Sequence, residues 1–141
     1  MFLLDTNVVS ELRKVGSGKA EASVVDWARG VETATLYLSV ISLLELELGV
    51  LQIERRDATQ GAMLRAWLDG QVMIAFDGRI LPVDAAVAKR CAGLHVPDPR
   101  AERDALIAAT ALTHGMTVVT RNAADFRATG VALVNPWRPG S

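Results

Sequence analysis

The chain has 141 residues, half of them apolar, with 16 acidic side chains against 15 basic ones. That length suits one domain over residues 1–141 with a single sizeable core, and the composition excludes a disordered chain. Near-neutral charge excludes a protein that grips nucleic acid by bulk positive charge, and the lone Cys91 excludes an internal disulfide or a Cys-rich zinc site. In chain order, Phe2–Leu4 is a short apolar run that can start a buried strand. Val8 to Lys14 suits a short helix stopped near Gly16, Ser17 and Gly18. Ala20 to Arg29 reads as a second helix ended by Gly30. Thr35 to Val40 has strand composition, and Ser42 opens a helix to about Gln52. After the polar break Arg55-Arg56-Asp57, Ala58 to Ile74 reads as one longer helix with Met63, Leu64, Trp67 and Leu68 on one side, as core. Ile80-Leu81-Pro82 is a short strand, and Asp84 caps a helix Ala85–Leu94. A loop through Pro97, Pro99 and Arg100 leads to a helix from Asp104 to His114, ended by Gly115. Thr117–Thr120 and Val131–Val134 are the last strands, before a Pro-rich tail.

The start Met1-Phe2-Leu3-Leu4 is interrupted by Asp5 and lacks a basic leader, so no signal peptide is expected. No stretch approaches the roughly 20 apolar residues of a membrane span. A cytoplasmic protein is the expectation.

Short apolar strands alternating with helices predict an α/β fold, a parallel sheet covered by helices on both faces. In such sheets ligands bind beyond the carboxyl ends of the strands. That rule selects Asp5 after the first strand, Thr120 at the end of the fourth and Asp125 just past it. The strand order itself does not follow from the sequence.

Each acidic candidate has a plain structural role to set beside a chemical one. Asp5 can simply cap the next helix. Glu45 lies in Ser42-Leu43-Leu44-Glu45, a capping box in which its carboxylate would return to the helix start. Glu47 points about 200° away from Glu45 around the helix, so the two cannot face one small site. Asp104 is an acid in the first turn of an Ala-rich helix, where carboxylates are favoured. Asp125 follows Asn122 in a turn-forming segment. Together they are consistent with one pole of one fold. Two carboxylates about 5 Å apart repel by roughly 3 kcal/mol at an effective dielectric near 20, so such a cluster survives by partial protonation or by holding a cation. Oxygen donors alone favour a hard ion, Mg²⁺ or Mn²⁺. His95 and His114 do not have the spacing of a metal-ligand pair.

Four segments carry a resemblance: Leu4-Asp5-Thr6-Asn7, Ser42-Leu43-Leu44-Glu45-Leu46-Glu47-Leu48-Gly49, Asp104 to Ala111, and Thr120-Arg121-Asn122-Ala123-Ala124-Asp125-Phe126. In this order and spacing, with the ending Asn135-Pro136-Trp137, the chain resembles the PIN-domain family over nearly its whole length. The resemblance is to the VapC/FitB type of toxins from toxin–antitoxin pairs. It implies a three-layer α/β/α domain with Asp5, Glu45, Asp104 and Asp125 as the metal-holding acidic site. Thr120 matches the family's Ser/Thr position beside it, and Asn7 is a supporting polar group. The implied activity is Mg²⁺- or Mn²⁺-dependent hydrolysis of RNA. Asp98 to Arg103 is more charged than the pattern leads one to expect. Arg13, Lys14, Arg100, Arg103 and Arg121 are candidate phosphate contacts, Arg121 first because it adjoins Thr120, and Asn7 is a further candidate RNA contact. The implied partners are an antitoxin of VapB/FitA type, operator DNA reached through that antitoxin, and a second copy of the chain. Exposed apolar surface on the Ser42–Gln52 and Ala58–Ile74 helices is where an antitoxin groove is expected.

Other readings are a structure-specific DNA nuclease and a binding module without turnover. A haloacid-dehalogenase-type phosphatase wants a second Asp where this chain has Asn7.

Overall fold

The computed structural model describes residues 1–140. The strands are β1 (Phe2–Leu4), β2 (Leu36–Ser39), β3 (Ile80–Leu81), β4 (Thr117–Val119) and β5 (Leu133–Val134). All pair in parallel, in the order β3-β2-β1-β4-β5. The register sets Leu3 beside Tyr37 and Val118. The chain thus builds outward from β1 to β3, then returns to add β4 on the other side of β1. That reversal puts the switch point between β1 and β4, where parallel sheets bind ligands.

Successive strand residues face opposite sides of a sheet. Leu4 and Val119 enter one buried cluster with Val8, Leu38, Leu46 and Leu68. Their neighbours Leu3 and Val118 enter the other with Ile107, Ala108, Met116 and Phe126. Helices cover both faces. They are α1 (Thr6–Arg13), α2 (Ala22–Arg29), α3 (Val40–Arg56), α4 (Ala58–Trp67), α5 (Met73–Ala75), α6 (Ala85–Leu94), α7 (Glu102–His114) and α8 (Ala123–Phe126). The alanines of α7 let its axis come close to the sheet: Ala105, Ala108, Ala109 and Ala111 are all buried. Gly115 ends α7 at φ 66°, a conformation that L side chains avoid. Asp84 caps α6 through a hydrogen bond from Val87 N at 3.0 Å, as its sequence position predicts.

Three expectations are corrected. Helix α3 begins at Val40, capped by Ser39, whose Oγ accepts from Ile41 N at 3.0 Å. Ser42 is therefore already inside the helix, and its hydroxyl reaches Leu4 O at 3.4 Å. With the start displaced three residues upstream, Glu45 is too far along the helix to close a capping box and is free for other partners. The expected helix Ala58–Ile74 is also not uniform, because a π-helical stretch, Leu68–Val72, separates α4 from α5. Its wider turn turns both Leu68 and Val72 into the core. Met63, expected in the core, is 64% exposed because the inward face of α4 is carried by Gly61 instead. Gly61 packs so closely on α3 that a Cβ there would lie 2.5 Å from Glu54 Cα.

Among the described residues, no helix is long and apolar enough to cross a membrane.

Candidate active site

Asp5 follows β1 and is 6% exposed. Its backbone N donates to Val119 O at 2.9 Å, which ties the β1 end to β4. Both of its carboxylate oxygens are engaged. Oδ1 accepts from Thr6 N at 2.8 Å, capping α1. Oδ2 accepts from Thr120 Oγ1 at 2.8 Å and from Asn7 Nδ2 at 3.2 Å. The capping role and the site role are thus held by different oxygens of one side chain. Thr120 is fully buried, and its hydroxyl in turn accepts from Asn122 N at 3.0 Å, which aims its proton at Asp5.

Glu45 projects from α3 toward the same place. Its Oε1 accepts from Thr6 Oγ1 at 2.7 Å, and its Oε2 lies 3.7 Å from Arg103 Nη1. Glu47 turns away, as the helical angle requires, and its two oxygens take a forked contact from Arg65 at 2.7 and 2.6 Å. Asp104, in the first turn of α7, completes the group: Asp5, Glu45 and Asp104 line one concavity of about 410 Å³. Asp125, on α8, lies on the far side of Asp104, and the two line a neighbouring concavity of about 380 Å³.

The electrostatics follow from this crowding. Burial pushes the Asp5 carboxyl above its ordinary value; hydrogen bonds from Thr120 and Thr6 pull it back, and the Glu45 charge adds to the rise. The Asp104 carboxyl is also raised, by burial first and then by the charges of Asp5, Asp125 and Glu45. Asp104 thus feels the other three predicted acids and Asp5 feels Glu45, although only Asp5, Glu45 and Asp104 share a single concavity. The donor set is oxygen only, which fits a hard divalent ion.

One residue at this concavity has no sequence forecast. Glu11 is 8% exposed and lines it with Asn7, Ser10 and Lys14. Their spacing, at positions 7, 10, 11 and 14, is one face of a helix, and that polar stripe is the signal that marks it. Glu11 is spoken for: Glu21 N donates to it at 2.9 Å and Lys14 Nζ at 3.2 Å, and these contacts lower its pKa. It fastens α1 to the start of α2.

The candidate phosphate contacts divide. Arg103 Nη1 lies 3.7 Å from Glu45 Oε2, and Lys14, which lines the acidic concavity, faces Glu11. Arg100 is taken up by backbone carbonyls, with Nε on Leu94 O at 2.7 Å. Arg13 lies over Trp67 in an apolar groove between α1 and α4, away from the acids. The Arg121 guanidinium lies over the Trp137 ring, with its Cζ 5.4 Å from the centroid.

A second cluster unites Cys91, His95 and Glu102, whose donor atoms lie within 4.8 Å of one another. Here His95 Nδ1 accepts from Arg100 N at 3.1 Å. In a neutral ring that leaves the proton on Nε2, facing Glu102 Oε2 at 3.4 Å, so Nε2 has no lone pair to offer a cation. The cluster reads as a latch between α6 and α7. Burial and then Glu102 push the Cys91 thiol up, which keeps it neutral.

A family model described as PIN domain matches residues 2–131. The chain is 37% identical over 147 residues to a VapC ribonuclease of Sinorhizobium fredii, covering 99% of each protein. It is 37% identical to Toxin FitB of Neisseria gonorrhoeae, covering 97% of this chain and 99% of the toxin. A crystal structure of FitAcB from Neisseria gonorrhoeae matches with a TM-score of 0.88 at 36% identity, over 98% of this chain and 99% of that one. A structure of FitAB bound to a DNA fragment matches with a TM-score of 0.90 at 35% identity, over 100% and 99%. On the strength of its motifs, its sheet order and these matches, the chain belongs to the PIN-domain family, among proteins of the VapC/FitB type.

Proposed function

We propose that this protein is a divalent-metal-dependent endoribonuclease that serves as the toxin of a toxin–antitoxin pair. The observation that carries the reading is the convergence of Asp5, Glu45 and Asp104 on one concavity at the switch point of the sheet. The raised carboxyls of Asp5 and Asp104 support it, since a cation would relieve the repulsion that raises them. The name of the Sinorhizobium fredii relative, a VapC ribonuclease, supports RNA as the substrate.

In this reading Asp5, Glu45 and Asp104 hold Mg²⁺ or Mn²⁺, and Asp125 assists from beside Asp104. Such an ion, when bound, supplies charge neutralisation at the scissile phosphodiester and acidifies a water for in-line attack. The chain's own contribution is orientation. Thr120 and Asn7 fix Oδ2 of Asp5, Thr6 N fixes Oδ1, and the Thr6 hydroxyl fixes Glu45. Hydrogen-bonded ligands of this kind are pre-set, so little ordering is left to be done when substrate arrives.

The partners follow the same reading. The apolar groove of about 580 Å³ between α1 and α4, lined by Val9, Leu12, Met63, Leu64 and Trp67, is the seat of an antitoxin helix. The exposed stripe Leu44, Leu48 and Leu51 on α3 supports pairing with a second copy. Operator DNA is reached through the antitoxin, and the site of action is the cytoplasm.

A substrate panel tests the activity. RNA and DNA strands of the same sequences are incubated with the purified protein in Mg²⁺ or Mn²⁺, beside Asp104→Asn. Metal-dependent cutting of RNA that is lost in the variant is expected. Preferential cutting of DNA would make it a DNA nuclease, and metal-independent silence on every substrate would leave a binding module.

A further inference from the structure

A larger concavity beside the acids carries more basic than acidic side chains. It measures about 790 Å³ and lies between α8, β5 and the C-terminal segment. It shares Asn122 with the concavity of Asp5, Glu45 and Asp104, and Asp125 with the one behind Asp104. Its walls carry Arg121, Arg127 and Arg138 against the acids Glu21 and Asp125, so the balance of charge reverses within a few residues of the acidic centre. The volume falls within the ~300–1,000 Å³ of clefts that enclose small ligands of nucleotide size.

A chain of hydrogen bonds joins this cavity to the acidic centre. Asn7 Nδ2 donates to Asp5 Oδ2 at 3.2 Å, while Asn7 Oδ1 accepts from Arg121 N at 3.2 Å. Arg121 O accepts from Asn135 Nδ2 at 3.2 Å, and Asn135 Oδ1 accepts from Trp137 N at 3.0 Å. Both amides are used at both ends, so the wall of the cavity is fixed relative to Asp5. Trp137 then supports the Arg121 guanidinium on its ring. A guanidinium set over an aromatic ring makes a cation–π surface against which a base can pack.

We propose that this cavity is the binding site for the nucleotide next to the cleaved bond of a single-stranded RNA, with its base stacked on the Arg121–Trp137 pair and its phosphate held by Arg127. Unpaired bases stack on aromatic rings and on guanidinium planes without regard to sequence, and arginines hold phosphates. The arrangement also separates tasks. The acids repel phosphate except where a cation intervenes, so the strand needs a positive foothold beside them, and this cavity provides one. Asn7 and Asn135 are positioning residues here, tying the foothold to the reacting centre. The proposal rests on the ribonuclease reading given above.

The test uses a fluorescein-labelled pool of random-sequence 12-nucleotide RNA and measures anisotropy across a salt series. The Asp104→Asn background keeps the RNA whole. Arg121→Gln and Arg127→Gln should each weaken binding about three- to tenfold and flatten the salt slope by about one. Arg90→Gln on α6, away from the cavity, should do neither. Because Trp137 also packs on the core, its part is read without substitution: 4-thiouridine-containing RNA should crosslink to Trp137 or its neighbours on light exposure. Undiminished binding by both arginine variants, with no crosslink in this segment, overturns the cavity assignment while metal-dependent RNA cutting by the native chain leaves the ribonuclease reading standing. A stronger effect of the variants on DNA of the same sequences overturns RNA as the occupant. A native chain that neither binds nor cuts RNA overturns both.

Discussion

Thr120 and Asp5, separated by 115 positions in the chain, share a hydrogen bond of 2.8 Å at the ends of adjacent strands. The bond is buried, and its donor is oriented by Asn122 N on the other side of the hydroxyl. Thr120→Val keeps the shape and removes the hydroxyl, leaving the buried Asp5 carboxylate with one donor fewer and Asn122 N without its acceptor. We expect a loss of about 1–3 kcal/mol in urea unfolding, and cleavage reduced roughly 10- to 100-fold. Thr120→Ser should stay near the native values. Equal behaviour of Val and Ser at this position would show that the hydroxyl does not orient Asp5.

The raised carboxyls make a signed prediction about pH. A group whose pKa is higher in the folded chain contributes stability below its unfolded value and loses it as pH rises through the folded value. For Asp5 and Asp104 that loss begins near the ordinary carboxylate value of 3.8 and continues above it. Glu11 and Glu47 are lowered and work in the opposite sense, so the test is a difference between variants. In metal-free buffer, Asp104→Asn should melt higher than the native chain, and the gap should widen as pH goes from 4 to 7. A gap that closes over that range, or a variant that melts lower throughout, contradicts the crowded-carboxylate account.

Asn7 stands 3.2 Å from Asp5 as a donor. Asn7→Asp replaces that donor with a charge of the same sign. The metal-free protein should lose of order 2 kcal/mol, given the roughly 3 kcal/mol repulsion of close carboxylates at an effective dielectric near 20. Added Mg²⁺ or Mn²⁺ should restore a larger share of the melting temperature than it adds to the native chain. Equal metal-induced shifts in the two proteins would argue against a cation near Asp5.

Gly61 is required by the α3–α4 packing. Its missing Cβ would lie 2.5 Å from Glu54 Cα, a backbone atom that cannot swing aside. Gly61→Ala should therefore destabilise the fold by about 1–3 kcal/mol in spite of alanine's better helix propensity. It should also pull Arg65 off Glu47 and Glu54, which it now bridges. A native-like or higher midpoint in urea would mean that the helices part at little cost.

What the sequence made legible depended on the range of the forces involved. The strands, the C-terminal ends of α2, α6 and α7, and caps such as Asp84 and Gly115 are set by neighbours a few residues away and read correctly, whereas α1, α2 and α7 each begin two residues from the expected position. The carboxyl ends of parallel strands are a restricted set of positions, and that rule selects Asp5, Thr120 and Asp125, whereas Asp104 is picked out as a first-turn acid of an Ala-rich helix. The start of α3 misled because Ser39 and Ser42 both offer a capping hydroxyl, and only pairing of β2 with β1 decides between them. Met63 misled because periodicity marks a face without saying that Gly61 would bring α3 so near. The Glu11 stripe and the reach of Asn135 to Arg121 depend on how distant segments meet, and strand order decides that. Cys91 and His95 are four apart on one helical face, yet their third partner, Glu102, comes from a different helix.

The most direct measurement is cleavage of a mixed RNA pool by the purified native chain with Mg²⁺ or Mn²⁺, repeated with EDTA and with Asp5→Asn. The account predicts cutting that needs the cation, stops in EDTA, returns when the ion is restored, and is absent in the variant. Cutting that persists in EDTA, or that survives in a folded Asp5→Asn protein, would contradict an acidic metal centre at the β1–β4 switch point.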